Sequence, residues 1–384
     1  MPILGDIRRL DRVDWNFPSG GTPLGSVHTL HWFPGNFIPQ IPAALIQVLS
    51  KPGDLVLDPF GGSGTTGIEA LRLGRRSIIS DRMSACILIA EAKVELLRGG
   101  LDRRFRSEFL PLLTFEQLCR SNSVGLRGEG GAAELPLWYD PETLAQLRYI
   151  WKLIESQPSP ARRVLSAVHS NVLFDCASSG RSMTSTGKVR RHHWGWVADN
   201  VKPKSLVAHN AIALFRKRLA ALDEDAAPLT LNSSLVVQQD ARRMALPDGV
   251  IDLIVTSPPY IGVIDYTHAN RLLYAWMGWS MEHERRKEIG ARFRRNRIAA
   301  VAEYLEEMRA ARDEIWRVLR PGAFCAIVIG ESRKFPGTVE HMVADFDERM
   351  PLVWGPISRR ASRRRVSDRE AREGVEYVCV FRKP

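Results

Sequence analysis

The sequence predicts an α/β protein: a doubly wound, mostly parallel sheet that carries a mainly helical insertion. Three observations predict it. Short apolar strands alternate with helical patterns in the first hundred residues and again after residue 230. A glycine-rich turn, Gly62-Ser63-Gly64-Thr65-Thr66-Gly67, directly follows the first strand. Between the two blocks, at about 101–230, the chain turns polar, basic and helical. Strands alternating with helices point to a parallel sheet covered on both faces.

Taken in order, Asp54–Asp58 (DLVLD) reads as a short buried strand. After the glycine turn, a helix runs through Ile68, Ala70 and Leu71 and stops near Gly74. Arg76–Asp81 (RSIISD) is a second strand ending on a carboxylate, and Ser84–Leu97 a second helix. The pattern resumes at Ser234–Asp240 (SLVVQQD), again a strand ending on a carboxylate. Val250–Tyr260 (VIDLIVTSPPY) is a buried strand that runs into a double proline. Tyr304–Leu319 is an amphipathic helix, Pro321-Gly322 a turn, Ala323–Gly330 a buried strand and Glu376–Phe381 the last strand. In the middle segment, Ser121–Pro136 is a Gly-rich loop and helices are expected near 141–156, 159–176 and 205–222. The expected division is a discontinuous sheet domain, 20–100 with 231–384, and an insertion, 101–230.

The 384 residues are 45% hydrophobic and 25% charged, ordinary values for a globular chain with a real core. The net charge of +11 favours a polyanionic partner, chiefly nucleic acid, although a merely basic enzyme has the same balance. Five scattered cysteines form no C-x-x-C pair, which disfavours a zinc cluster and a disulfide framework and suits a reducing cytoplasm. No metal site is expected. The first fifteen residues hold no apolar run of signal-peptide length, and no stretch of eighteen apolar residues exists to span a membrane.

Gly62, Gly64 and Gly67 fit G-x-G-x-x-G, a weak signal that a plain tight turn also satisfies. No lysine follows the last glycine, which disfavours a nucleoside triphosphate. A dinucleotide and another adenosine-bearing ligand remain. Both need the backbone to approach closely, and both use a carboxylate at the end of the next strand, here Asp81, to hold ribose hydroxyls. Asp58 tips the balance. A carboxylate at the loop entrance repels a pyrophosphate and attracts a sulfonium cation with its ammonium group.

The stretch VLDPFGGSGTT, with Asp58, Pro59, Phe60, Gly62, Gly64 and Thr65, is similar to the cofactor motif of the DNA amino-methyltransferases. Thr256-Ser257-Pro258-Pro259-Tyr260 resembles their catalytic motif, in which Asp, Asn or Ser precedes Pro-Pro and an aromatic. His28–Ile46 resembles their element that closes the methionine pocket. The likeness covers roughly 28–96 and 234–330. It implies a Rossmann-like methyltransferase fold, S-adenosylmethionine as cofactor and DNA as partner. Asp240 stands where the family contacts the adenine. A helix cap is the competing use of Asp240, behind the cofactor contact, and His28 is assigned no chemistry.

The reaction so implied moves a methyl to an exocyclic amine, a poor nucleophile because its lone pair is delocalised into the ring. Acceptors for the amine hydrogens, here the Ser257 hydroxyl and the Pro258 carbonyl, localise that pair, and Pro259 stiffens the backbone behind them. Tyr260 offers a face to an extruded base, a contact of about 1–3 kcal/mol. No Pro-Cys pair exists to attack a ring carbon. Within the family, Ser at the first motif position leans to cytosine N4, and Asp or Asn to adenine N6.

Basic stretches at 188–193, 285–297 and 358–365 are candidate phosphate contacts, with Lys188, Arg190, Arg191, Arg294 and Arg295 foremost. The insertion, with its Gly180–Lys204 loop and Trp194 and Trp196, is the candidate reader of sequence. The cofactor motif precedes the catalytic one, as in one circular arrangement of the family. The late position of Asp240 departs from that arrangement. The expectation is therefore a site-specific DNA methyltransferase, cytosine N4 before adenine N6, in a restriction-modification setting with a cognate endonuclease as partner. Competing readings are an RNA amino-methyltransferase, a silent nucleic-acid-binding module and a dehydrogenase. The absence of an RNA-binding domain before residue 28 weighs against the first. The intact motifs weigh against the second, and Thr256–Tyr260, which a dehydrogenase leaves unexplained, against the third.

Overall fold

In the computed structural model, described over residues 7–18, 26–35, 38–114, 134–178, 181–183, 189–191, 197, 202–203, 205–222, 233–360 and 375–384, the expected doubly wound sheet is present. Its strands are β1 (Leu55–Asp58), β2 (Arg76–Asp81), β5 (Ser234–Gln238), β6 (Ile251–Thr256), β7 (Leu319–Gly330), β8 (Leu352–Arg360) and β9 (Val375–Arg382). A separate hairpin pairs β3 (Arg181–Met183) with β4 (Val189–Arg191). The sheet order is β5-β2-β1-β6-β7-β9-β8. Neighbours are parallel from β5 to β7, and β9 runs antiparallel to both β7 and β8.

The burial explains why the strands read as unbroken apolar runs. Leu57, Ile254, Cys325 and Ile327 pack on one face with the helices Ala300–Val318 and Thr338–Arg349. Val56, Leu253, Val255 and Ala326 pack on the other with the helix Gln40–Leu49. The chain turns one way from β1 to β2 and the other way from β6 to β7. That leaves a crevice at the carboxyl ends of β1 and β6, where open α/β sheets hold ligands.

Several boundaries differ from the sequence reading. β7 begins at Leu319 and carries Pro321-Gly322 within it, with a register shift against β6. The helix expected from Tyr304 begins at Ala300. The helix expected over 205–222 is confined to Ala211–Ala220, because the Asn210 side chain accepts from Ala213 N at 2.8 Å and caps it there. β8 and the helix Thr338–Arg349 are additional elements. In β8, Gly355-Pro356 and a run of arginines break the alternation that marks a strand.

The middle segment contributes the helices Arg103–Phe109, Pro141–Glu155, Ser159–Ser178 and Ala211–Ala220. Their core joins Trp138, Tyr139, Leu147, Ile150, Val168 and Phe215 to Ala92 of the sheet domain and to Leu272 and Trp276 of the helix Arg271–Met277. The segment thus packs on the flank of the sheet domain rather than standing apart from it. Cys86, Cys176, Cys325 and Cys379 are buried free thiols. Among the described residues there is no metal-binding cluster, and no helix is long and apolar enough to cross a membrane. Lys188, Trp194, Trp196, Cys119 and most of the 121–136 loop lie outside the described residues.

Candidate active site

The site is assembled from the carboxyl ends of four adjacent strands. After β1 the chain makes the glycine turn. Gly61 N donates to Ser80 O at 2.8 Å and Gly62 N to the Asp81 carboxylate at 2.9 Å, which fastens the turn to the end of β2. Gly64 has φ +86°, and a Cβ there would lie 3.2 Å from Ala90 Cβ of the helix Ser84–Leu97, so the turn demands glycine on two counts. The helix Thr65–Arg72 starts at once behind it. Below the turn, Lys93 is fully buried, donates to Ser63 Oγ at 3.0 Å and is lowered by burial to about 7.

The cleft above this turn holds roughly 870 Å³ of empty space, part of it open solvent. Pro59, Phe60, Gly62, Ser63 and Thr65 form one wall. Asp81, Arg82 and Asp240 line the end nearest β2 and β5, and Ser257 and Pro259 the end beyond β6. Phe33 and Tyr266 line it as a stacked pair, with ring centroids 5.9 Å apart. Asp81 accepts from Gly62 N and Met83 N, and its carboxyl is raised by burial. Burial alone would raise Asp240, but hydrogen bonds and charge from Arg242 and Arg82 bring it below the ordinary carboxylate range.

Three expected site residues are placed differently from their expected roles. Asp58 does not guard the entrance. It lies 2% exposed beneath the wall, where its carboxylate accepts from Thr256 Oγ1 at 2.6 Å and Phe60 N at 3.1 Å; burial pushes it up to about 6. Tyr260 lies outside the residues that line the cleft: its ring packs on Gly330 and its hydroxyl donates to Glu376 at 3.2 Å. Arg294 is turned inward onto Glu307 at 3.0 Å, with its side chain 13% exposed. Pro258 is buried, and the neighbouring Pro259 carbonyl accepts from Tyr304 Oη at 3.1 Å. Arg295 is half-buried and has no carboxylate partner among the described residues. Arg190 and Arg191 lie in β4. His28 meets Glu69 at 2.7 Å in the core, a packing role.

Sequence reasoning missed the far wall, Tyr266, Glu284, Lys287 and Glu288. Glu288 is buried, accepts from Tyr266 N at 2.6 Å and Thr267 Oγ1 at 2.7 Å, and is pushed by burial up to about 7. Glu284 accepts from Ser84 N at 3.0 Å. The short helices Tyr266–Ala269 and Met281–Arg285, which carry Tyr266 and Glu284, have no regular apolar period, and Lys287 and Glu288 lie in the turn after them; the one cue was a cluster of acids among arginines.

The DNA methylase family profile matches residues 19–92, which include the glycine turn and Asp81. The likeness to that family therefore lies in the stretch that carries the glycine turn and Asp81. The type II methyltransferase M.MjaII of Methanocaldococcus jannaschii is 21% identical over 390 aligned positions, covering 80% of this chain and 72% of that relative. M2.DpnII of Streptococcus pneumoniae is 49% identical over 51 residues, 13% of this chain and 19% of its own length. A solved S-adenosylmethionine-dependent methyltransferase of Methanosarcina mazei aligns over 92% of this chain and 98% of its own, at 9% identity and a TM-score of 0.35. The rRNA methyltransferase aviRa of Streptomyces viridochromogenes aligns over 92% and 89%, at 13% identity and a TM-score of 0.32. Scores this low carry no functional argument.

The cleft fits S-adenosylmethionine, the cofactor of these methylases. Asp81, Asp240, Glu284 and Glu288 line it beside Arg82 and Lys287, and Arg242 also pairs with Asp240. Acids in the wall suit a sulfonium with its ammonium and oppose the pyrophosphate of a dinucleotide. Asp81 ends β2, where such folds hold a ribose diol, and the glycine wall admits close backbone approach.

Proposed function

We propose that this protein transfers a methyl group from S-adenosylmethionine to an exocyclic amine of a base in DNA, with cytosine N4 as the preferred target. One observation carries the reading: Ser257 and Pro259 open into the same cleft as the glycine turn Gly61–Thr65. The bound sulfonium supplies an electrophilic methyl. The protein's part is orientation and electrostatics. Asp81 holds the ribose, Asp240 the adenine end, and Pro59–Thr65 the methionine end. The Ser257 hydroxyl and Pro258 carbonyl accept the hydrogens of the target amine. Tyr304, bonded to the Pro259 carbonyl, and Thr256, bonded to Asp58, hold that loop in register with the glycine turn. Phe33 and Tyr266 screen the cleft from water.

Ser257 at the head of the catalytic motif supports cytosine over adenine. The relatives' names, type II methyltransferases, support a setting beside a cognate restriction endonuclease. The test is incubation with methyl-labelled S-adenosylmethionine and duplex DNA or RNA, then digestion to nucleosides. Label in N4-methyl-2′-deoxycytidine from DNA is expected. Label in N6-methyladenine corrects the base, and label confined to RNA overturns the DNA reading.

A further inference from the structure

Methyl transfer leaves the base nitrogen with one proton too many, and nothing assigned so far removes it. Ser257 accepts a hydrogen bond but has no acid-base capacity of its own near neutral pH. The structure supplies a continuation. Ser257 Oγ lies 3.4 Å from Tyr260 Oη, and Tyr260 Oη donates to Glu376 Oε1 at 3.2 Å. Glu376 stands on β9 and its other oxygen is held by Arg359 of β8. The Arg359 side chain is 3% exposed and also donates to the Trp15 carbonyl at 2.9 Å. The Tyr260 ring is aimed along this line by Gly330: a Cβ there would fall 2.4 Å from Tyr260 Cε2. Glu376 thus meets the tyrosine hydroxyl directly, Gly330 lies against the ring, and Arg359, anchored on the Trp15 carbonyl, fixes the far oxygen of the carboxylate.

We propose that Ser257, Tyr260 and Glu376 form the exit path for this proton, with the Glu376 carboxylate as its terminal acceptor. The inference rests on the methyl-transfer reading. The balance closes without another reactant. The nitrogen–carbon bond forms as the carbon–sulfur bond breaks, its electron pair staying on sulfur. The nitrogen gives its extra proton to Ser257 Oγ, Ser257 gives its own to Tyr260 Oη, and Tyr260 gives its own to Glu376. Both hydroxyls end as they began and the carboxylate ends neutral. Half-buried Glu376 then returns the proton to solvent. These spacings are long for hydrogen bonds, as is usual before a substrate closes a site. The role separates Tyr260 from a mere stacking platform.

The experiment is single-turnover methyl transfer by the full chain, with cofactor affinity measured by calorimetry. Tyr260→Phe keeps the ring and the Arg359–Glu376 pair and removes the relaying hydroxyl. Glu376→Gln keeps the shape and removes the acceptor. Both are expected to lower the transfer rate by roughly tenfold or more at unchanged cofactor affinity, with the loss shrinking between about pH 7 and pH 9 as solvent takes the proton. Glu376→Asp is expected to recover part of the rate. Should Glu376→Gln fail to fold, Tyr260→Phe decides alone. A wild-type rate in Tyr260→Phe, or losses identical at every pH, overturns the relay while leaving methyl transfer standing. A wild-type chain that methylates neither DNA nor RNA overturns the reading beneath it.

Discussion

The Thr256 hydroxyl donates to the buried Asp58 carboxylate across 2.6 Å, and so joins the end of β6 to the end of β1. One strand delivers the catalytic loop and the other the glycine turn, so this single bond sets the spacing between the two halves of the site. Thr256→Val keeps the shape and deletes the donor. It leaves a buried carboxylate short of a partner, at a cost of about 1–3 kcal/mol. The expected outcome is a lower midpoint in thermal unfolding together with weaker cofactor binding in calorimetry. An unchanged midpoint would mean that the bond joins nothing of consequence.

Burial raises the carboxyls of Asp58, Asp81 and Glu288, and carries Asp58 from 3.8 to about 6 and Glu288 from 4.5 to about 7. The folded chain therefore holds these protons more tightly than the unfolded chain. Their contribution to stability is fully present below about pH 4 and is lost as pH rises through about 7. Glu288→Gln has no such titration. Its stability relative to wild type is expected to rise from about pH 5 to about pH 8, by up to about 3 kcal/mol. Urea unfolding at several pH values checks this; a difference that stays constant across the range rejects it.

The sheet was readable because β1, β2, β6 and β7 are buried on both faces and appear as uninterrupted apolar runs, and because Asp81 and the double proline fall at strand ends. β8 was not, since Gly355, Pro356 and the arginines after Ile357 hide its register. The cleft divided along the same line. Residues carried by local motifs, Gly62, Asp81, Asp240 and Ser257, reached it together. Glu284 and Glu288 were hidden, because their approach depends on how the segment after the catalytic loop folds back over the helix Ser84–Leu97. Tyr260 was visible as a motif residue, but its direction was not. That direction is set by Gly330 and Glu376, far away in the chain.

Arg294 and Arg295 are neighbours in one basic stretch, yet the structure separates them. Arg294 is neutralised by Glu307, whereas Arg295 has no carboxylate partner among the described residues. DNA affinity is expected to fall with salt, and Arg295→Ala to lower the slope of log affinity against log salt by about 1. Arg294→Ala is expected to leave the slope unchanged and to lower stability instead. Fluorescence titrations at several salt concentrations compare the two, and equal slopes for both variants would contradict the assignment.

Gly330 ends β7 directly under the Tyr260 ring, and alanine there has no room unless the ring moves. The glycine turn, Asp81 and Asp240 lie on the other side of β6 in the sheet and do not touch Gly330, so the cofactor end of the cleft is spared. Gly330→Ala is therefore expected to keep cofactor affinity within about a factor of two while methyl transfer drops by roughly tenfold or more. Calorimetry and single-turnover assays on the same preparation measure both quantities. A parallel loss of binding and transfer would show that the substitution disturbs the whole sheet edge and that Tyr260 has no separate part in the chemistry.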